Sequence, residues 1–192
     1  MSARALRTIA AVTLLGLLAV VIASEIDHVV ARLGLPLSDA SVIREQAAEK
    51  HLDPALIAAV IYAETKFEAR PSPAGAQGLM QILPATAYFL AHLSGGSRFT
   101  ASDLATPRIN VAYGSYYLRY LLDHYRGNEM LAVAAYNGGL ANVDSWVAQA
   151  NAAGRQLTVG AIPFGQTRAY VERVLDAQRA YRDKYPRELG LQ

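Results

Sequence analysis

An all-α fold, with at most a small β element near residues 70–82, is predicted by three observations. Apolar residues recur at helical spacing from Asp39 almost to the C-terminus. Pro54, Pro84 and Pro107 stand where each would open a helix. Glycine-rich and proline-rich stretches separate these segments.

The elements follow in order. Asp39 or Ser41 caps a first helix reaching about Lys50, and Asp53 with Pro54 starts the second. RPSPAGAQG, residues 70–78, is a loop, since two prolines and two glycines fall in nine residues. Pro84 opens a helix through about Leu93, and Ser94-Gly95-Gly96-Ser97 is a turn. Pro107 starts a long, tyrosine-rich helix through Tyr125. Asn128 caps the next, EMLAVAAY, which Asn137-Gly138-Gly139 terminates. Leu140 to Ala150 is helical, and residues 151–165 are irregular with at most a short strand pair around Leu157-Thr158-Val159. The last helix runs from Thr167 to Tyr185 with Tyr170, Val174, Ala177 and Tyr181 on one face.

The 192 residues suffice for one compact domain with a sizeable core, and 53% hydrophobic against 18% charged content excludes a disordered chain. Part of the apolar excess is local. Residues 9–23, IAAVTLLGLLAVVIA, form an uncharged run of fifteen preceded by Arg4 and Arg7. That length matches a secretory signal and falls short of a full span of about 20 residues, so a cleaved signal peptide and an uncleaved signal-anchor both stand for residues 1–23. Residues 24–38 read as a tether, 39–186 as the folded domain and 187–192 as a tail. The protein is expected to act in the cell envelope, outside the cytoplasmic membrane, touching that membrane through the N-terminal segment if it is uncleaved.

The formal net charge is +2, and Arg4 and Arg7 account for that excess. The remainder is formally neutral, which argues against a nucleic-acid binder. Cysteine is absent, so no disulfide, thiolate metal site or cysteine nucleophile exists. The four histidines, His28, His51, His92 and His124, lack ligand spacing, and no metal or other cofactor is expected.

One acid is oddly placed. Ile57, Val60 and Ile61 make an apolar stripe, and Glu64 continues it seven, four and three residues on. Burial raises a carboxyl pKa by stripping hydration from the charged form, as a proton donor near neutral pH requires. The small residues of the following loop let backbone approach a ligand, and Met80 and Gln81 follow as an apolar contact and a neutral hydrogen bonder.

ET at 64–65, SPAGAQGLMQILPATA at 72–87, DLATPRINVAYGSYYLRYL at 103–121, AAYNGG at 134–139 and IPFGQTRAYVERVL at 162–175 carry a resemblance. From roughly Val42 to Tyr185 the chain resembles the soluble-type lytic transglycosylases, a lysozyme-like family that cuts bacterial peptidoglycan. The resemblance implies that Glu64 is the single catalytic acid. It implies that Ser72, Met80, Gln81, Tyr136, Asn137 and Tyr170 bind substrate, with the Tyr136 hydroxyl approaching the acid. Thr65 stands where the family more usually has Ser, and Gln166 where it usually has Glu, so Gln166 is a candidate for tuning the acid. Glu68, four residues after Glu64, reads as a solvated helix-end charge.

Ordinary glycosidases flank the bond with two carboxylates. A lone Glu fits the family's chemistry, in which the acid protonates the glycosidic oxygen and then takes the proton from the muramic C6 hydroxyl, leaving a 1,6-anhydro end. A distant carboxylate such as Asp144 remains open as a second acid. Two alternatives also stand: a lysozyme-type hydrolase on the same fold, and a membrane-tethered glycan-binding module without activity.

Overall fold

The computed structural model describes residues 34–95 and 99–191. The expectations for residues 1–23, most of the tether and part of the Ser94–Ser97 turn lie outside them. A first unit ends at Leu35, and the second, Pro36–Gln192, holds every helix described below.

Seven α-helices occur among the described residues: α1 (Ala40–Lys50), α2 (Pro54–Thr65), α3 (Pro84–Leu93), α4 (Pro107–His124), α5 (Glu129–Gly138), α6 (Leu140–Ala152) and α7 (Gly165–Lys184). Short 3₁₀ turns at Ala101–Ala105 and Val159–Ala161 precede α4 and α7. Asp53 caps α2 through its carboxylate, which accepts from the Ala55 N–H at 3.0 Å, with Pro54 behind it. Asn128 caps α5 in the same way, accepting from the Leu131 N–H at 3.1 Å.

α2 is the centre of the fold. Ala55 through Ile61 are buried without a break, because α1 packs on one side of the helix and α7 along another. The Ile57, Val60, Ile61 stripe is therefore part of a helix apolar all round, as a surrounded helix must be. α5 sits between α4 and α7 and buries Ala132 through Ala135, small residues that let the three helices come close. On α7, Tyr170, Val174, Ala177 and Tyr181 are all buried, as their spacing predicts.

Three expectations are corrected, on Asp39, the end of α5 and the residues after 186. Asp39 precedes α1 but does not cap it: at φ +53° its carboxylate turns away and accepts from the Ser38 hydroxyl at 2.8 Å. The segment after α6 is irregular as expected, with no strand, and Val159 enters a 3₁₀ turn. α5 runs two residues past Tyr136, to Gly138, before Gly139 at φ +86° stops it. The residues after 186 are no loose tail, since Leu189 is buried and the Glu188 carbonyl accepts from the Arg44 guanidinium.

The loop between α2 and α3 contains a single antiparallel bridge, Gln77 with Ile82, which is the small β element expected there. Asn110, wholly buried on the first turn of α4, braces this loop from beneath. Its Oδ1 accepts from the Met80 N–H at 2.8 Å, and its Nδ2 donates to the carbonyls of Gln77 at 2.8 Å and Leu104 at 3.1 Å. Gly78 lies at φ +73°, and a Cβ there would come 2.1 Å from that amide. Gly114, one turn beyond Asn110, leaves room for the Met80 sulfur, 2.4 Å from where a Cβ would stand.

Candidate active site

Glu64 lies in the last turn of α2 and is half-buried. The helix stops immediately behind it, because Lys66 and Phe67 take left-handed backbone (φ 52° and 66°). That break sends Lys66 and Glu68 into solvent while Thr65 stays buried. The Thr65 hydroxyl donates to the Leu79 carbonyl at 2.8 Å, tying the helix end to the loop that returns past it. Glu68 is thus the exposed helix-end charge its position suggested.

From α7, the buried Tyr170 donates its hydroxyl to Glu64 Oε1 at 2.7 Å. Burial pushes the Glu64 carboxyl up to about 7, against the opposing pulls of the Tyr170 hydrogen bond and the Arg173 charge. No carboxylate is among the groups that shift it. Tyr170 itself is pushed well above the usual phenol range, first by burial and then by the Glu64 charge, so it remains a donor. Near neutral pH this carboxyl can therefore both give and take a proton.

Tyr136, on α5, is electrostatically coupled to Glu64, and burial with that coupling raises its own pKa well above normal. Its hydroxyl is committed elsewhere, donating to the Met80 carbonyl at 2.9 Å. The phenol that reaches the acid in this structure is that of Tyr170, while Tyr136 fixes the loop opposite. Met80 has no exposed surface, so its side chain belongs to the core and its backbone N–H and C=O are both used, by Asn110 and Tyr136.

Gln81 is held at φ 49°, an uncommon conformation for a residue with a side chain. The surrounding bonds enforce it: its Nε2 donates to the carbonyls of Arg70 at 2.7 Å and Gly78 at 2.9 Å. The Ser72 Oγ accepts from the Ala76 N–H at 3.0 Å and so shapes the same loop, its hydroxyl proton still available. Asn137 Oδ1 accepts from Thr167 Oγ1 at 2.9 Å, locking the end of α5 to the start of α7. Gln166, the residue before Thr167, is exposed on the first turn of α7. Asp144 is engaged on the far end of α4, where it accepts from Tyr125 Oη at 3.0 Å and pairs with His124 Nε2 at 2.9 Å.

Three site residues were not singled out from the sequence. Asn110 carries no signal but its place in the first turn of a helix. Thr167 is an ordinary helix-start residue until its partner is known. Arg173 lies one turn after Tyr170 on α7, and that spacing is the clue that was present.

The chain matches the transglycosylase SLT domain model over residues 41–159. It belongs to the transglycosylase SLT-domain family. Among SLT-domain relatives, it is 32% identical over 161 residues to the soluble lytic murein transglycosylase of Escherichia coli K12, an alignment covering 81% of this chain and 24% of that protein. The transglycosylase of Enterobacteria phage PRD1 is 36% identical over 104 residues, covering 54% of this chain and 35% of the phage protein. Among solved structures, an inactive mutant of the lytic transglycosylase Slt from Pseudomonas aeruginosa superposes with a TM-score of 0.72 at 30% identity, covering 78% of this chain and 25% of that one. The soluble lytic transglycosylase in complex with bulgecin A gives a TM-score of 0.72 at 32% identity, with 78% and 25% covered. The chain thus spans about a quarter of the length of the bacterial SLT-domain relatives it matches. The SLT-domain match takes in α1 through α6 and ends before α7, so Tyr170 and its hydrogen bond to Glu64 come from the helix beyond it.

Proposed function

We propose that this chain is a peptidoglycan lytic transglycosylase in which Glu64 serves first as acid and then as base. The observation that carries the reading is a carboxyl raised to about 7 by burial and bonded by a single phenol, with no carboxylate among the groups that perturb it. Protonated Glu64 gives its proton to the oxygen linking the muramic acid C1 to the next glucosamine, and that C1–O bond breaks. The carbonyl oxygen of the neighbouring N-acetyl group supports C1 on its opposite face. The Glu64 carboxylate then takes the proton of the same muramic residue's C6 hydroxyl, and O6 bonds to C1. The products are a free glucosamine 4-hydroxyl and a 1,6-anhydro end; no water is consumed and Glu64 finishes protonated. An intramolecular nucleophile brings a large proximity advantage, which removes the need for a second carboxylate to activate water.

In this reading Tyr170 holds Glu64 toward the bond, and the Gln81 Oε1 and Ser72 hydroxyl meet the sugars. Tyr136 and Asn137 line the same site, and Met80 supports the loop from the core. Thr65 anchors the helix end, and no cofactor takes part. Residues 1–23 act as a signal peptide or signal-anchor, 24–38 as a tether, and 39–186 as the catalytic domain, placing the activity outside the cytoplasmic membrane. Among the described residues no helix is long and apolar enough to cross a membrane.

Digestion of purified peptidoglycan followed by mass spectrometry tests the reaction. Anhydro ends, absent with the Glu64→Gln protein, are expected. Reducing ends would establish a hydrolase instead, and no released fragments from either protein would leave only a binding role.

A further inference from the structure

Residues 79–82 connect the helix that carries Glu64 to the helices opposite it. Thr65, next to Glu64 on α2, donates its hydroxyl to the Leu79 carbonyl at 2.8 Å. The Met80 N–H donates to Asn110 Oδ1 on α4 at 2.8 Å, and the Met80 carbonyl accepts from Tyr136 on α5 at 2.9 Å. Gln81 follows with its backbone at φ 49°. Ile82 then exchanges both backbone hydrogen bonds with Gln77 at 3.0 Å. Met80 is thus gripped at its N–H by one helix and at its carbonyl by another, and Gln81 is its immediate neighbour.

The grip from α4 depends on the chemistry of one side chain. Asn110 uses its amide in full: Oδ1 accepts from Met80, and the two Nδ2 hydrogens go to the carbonyls of Gln77 at 2.8 Å and Leu104 at 3.1 Å. It therefore ties together the start of the turn, its middle and the 3₁₀ segment ahead of α4. An ionised Asp would offer acceptors only, and Ser a single donor. Space is matched as closely as polarity. A Cβ on Gly78 would stand 2.1 Å from Asn110 Nδ2, and one on Gly114 would stand 2.4 Å from the Met80 sulfur. The charged residues flanking Asn110 in sequence are occupied elsewhere: the Asp103 carboxylate accepts from the Thr100 N–H at 2.8 Å, and Arg108 pairs with Glu45.

We propose that Asn110 is a positioning residue for the glycan. It has no exposed surface, so it cannot meet a sugar itself. It acts through the Met80 backbone, fixing where Gln81 is presented, and sugar affinity depends on an amide that no sugar touches. The inference rests on the peptidoglycan reading above, in which Gln81 meets the sugars.

The test is calorimetric titration of the full chain with a tetrasaccharide of alternating N-acetylglucosamine and N-acetylmuramic acid. A Glu64→Gln background prevents turnover and removes the acid's own titration. Unfolded protein lowers the stoichiometry and leaves Kd alone, so a merely structural role would not move Kd. Asn110→Asp is the informative variant. Ionised, its carboxylate still accepts from Met80 but faces two carbonyl oxygens with no proton to offer; protonated, it donates to one of them. Burial favours the protonated form, so the defect should grow as pH rises through a raised carboxyl pKa. Kd should lie within about twofold of the Glu64→Gln parent at pH ~5 and be roughly tenfold weaker at pH ~8, the worth of one buried hydrogen bond. Gly114→Ala disturbs the same segment by pressing on Met80 and should weaken binding at both pH values. It decides the matter if Asn110→Asp does not fold. A folded variant with the parent's Kd at pH ~8, or an Asn110→Asp protein equally weakened at both pH values, overturns the proposal. So does a parent that binds no tetrasaccharide. Failure of the wild type to release fragments from peptidoglycan counts against the Glu64 reading alone, because the titration needs no turnover.

Discussion

Asp53 and Glu64 stand at opposite ends of α2, and both meet α7, which runs antiparallel beside it. Asp53 has three donors: the Ala55 N–H at 3.0 Å, Gln178 Nε2 at 2.6 Å and Arg182 Nη2 at 2.8 Å. It also sits at the helix N-terminus, where the peptide dipoles favour negative charge. Glu64 has one donor, Tyr170, and lies in the last turn, where the dipoles oppose it. One carboxylate holds two helices together. The other is built to keep a proton. Burial raises the Glu64 carboxyl, and a single donor offsets it only in part.

Exchanging chemistry at the two ends gives the largest contrast. Glu64→Gln should lower kcat on peptidoglycan by at least about a thousandfold, within the range of a lost general acid and base, with glycan binding retained in a pull-down assay. The same change should stabilise the protein. Between the ordinary carboxyl value and about 7 the native state binds more protons at this site than the unfolded chain, so stability falls as pH rises through that window. Removing the acid relieves up to about 3 kcal/mol above pH ~7 and nothing below pH ~4, measurable as a melting-temperature gain present at alkaline pH and absent in acid. A melting temperature unchanged at all pH values would show that Glu64 is not held out of water.

Tyr170→Phe removes the one donor to the acid. Its expected cost is about 1–3 kcal/mol in kcat/KM, or roughly ten- to hundredfold. The alkaline limb of the pH–rate profile should move upward, because the hydrogen bond that held the carboxyl down is gone. Tyr136→Phe leaves that limb nearly in place and instead frees the Met80 carbonyl, so comparing the two phenylalanine variants separates the acid's partner from the loop's.

Asp53→Ala should do the reverse of Glu64→Gln. It removes a helix cap and two donors' acceptor, with an expected loss of about 1–3 kcal/mol in denaturant unfolding and little change in kcat for the folded fraction. An equal loss of kcat would mean that the two ends of α2 are coupled.

The smallest effect belongs to Gln166→Glu. The new carboxylate would lie on the first turn of α7, where the helix dipole favours its ionisation, and its charge would raise the Glu64 pKa further. Because position 166 is exposed, solvent screens it, and the alkaline limb should rise by no more than about half a pH unit, less in high salt. A full-unit shift would place that residue much closer to the acid than its exposure suggests.

Much of the frame could be read from the chain. Pro54, Pro84 and Pro107 each open a helix where they stand, because a missing N–H costs nothing in a first turn. Asp53 and Asn128 cap as their residue types predict, while Asp39 does not, since nothing local obliges it to face its own helix. Glu64 was recognisable from an apolar run ending in an acid. Asn110 and Thr167 were not, because each is defined by a partner thirty residues away.

The sequence by itself determined where helices start and stop, and which acid follows the apolar run, because caps, prolines and periodicity act within a turn or two of the residue concerned. Only the tertiary structure decided what that acid would be. The phenol at its carboxyl comes from Tyr170, 106 positions along the chain, the loop beside it is pinned by Asn110 from α4 and Tyr136 from α5, and its burial is the work of α7. A pKa depends on every group within a few ångströms in space, and no window along the chain contains those groups.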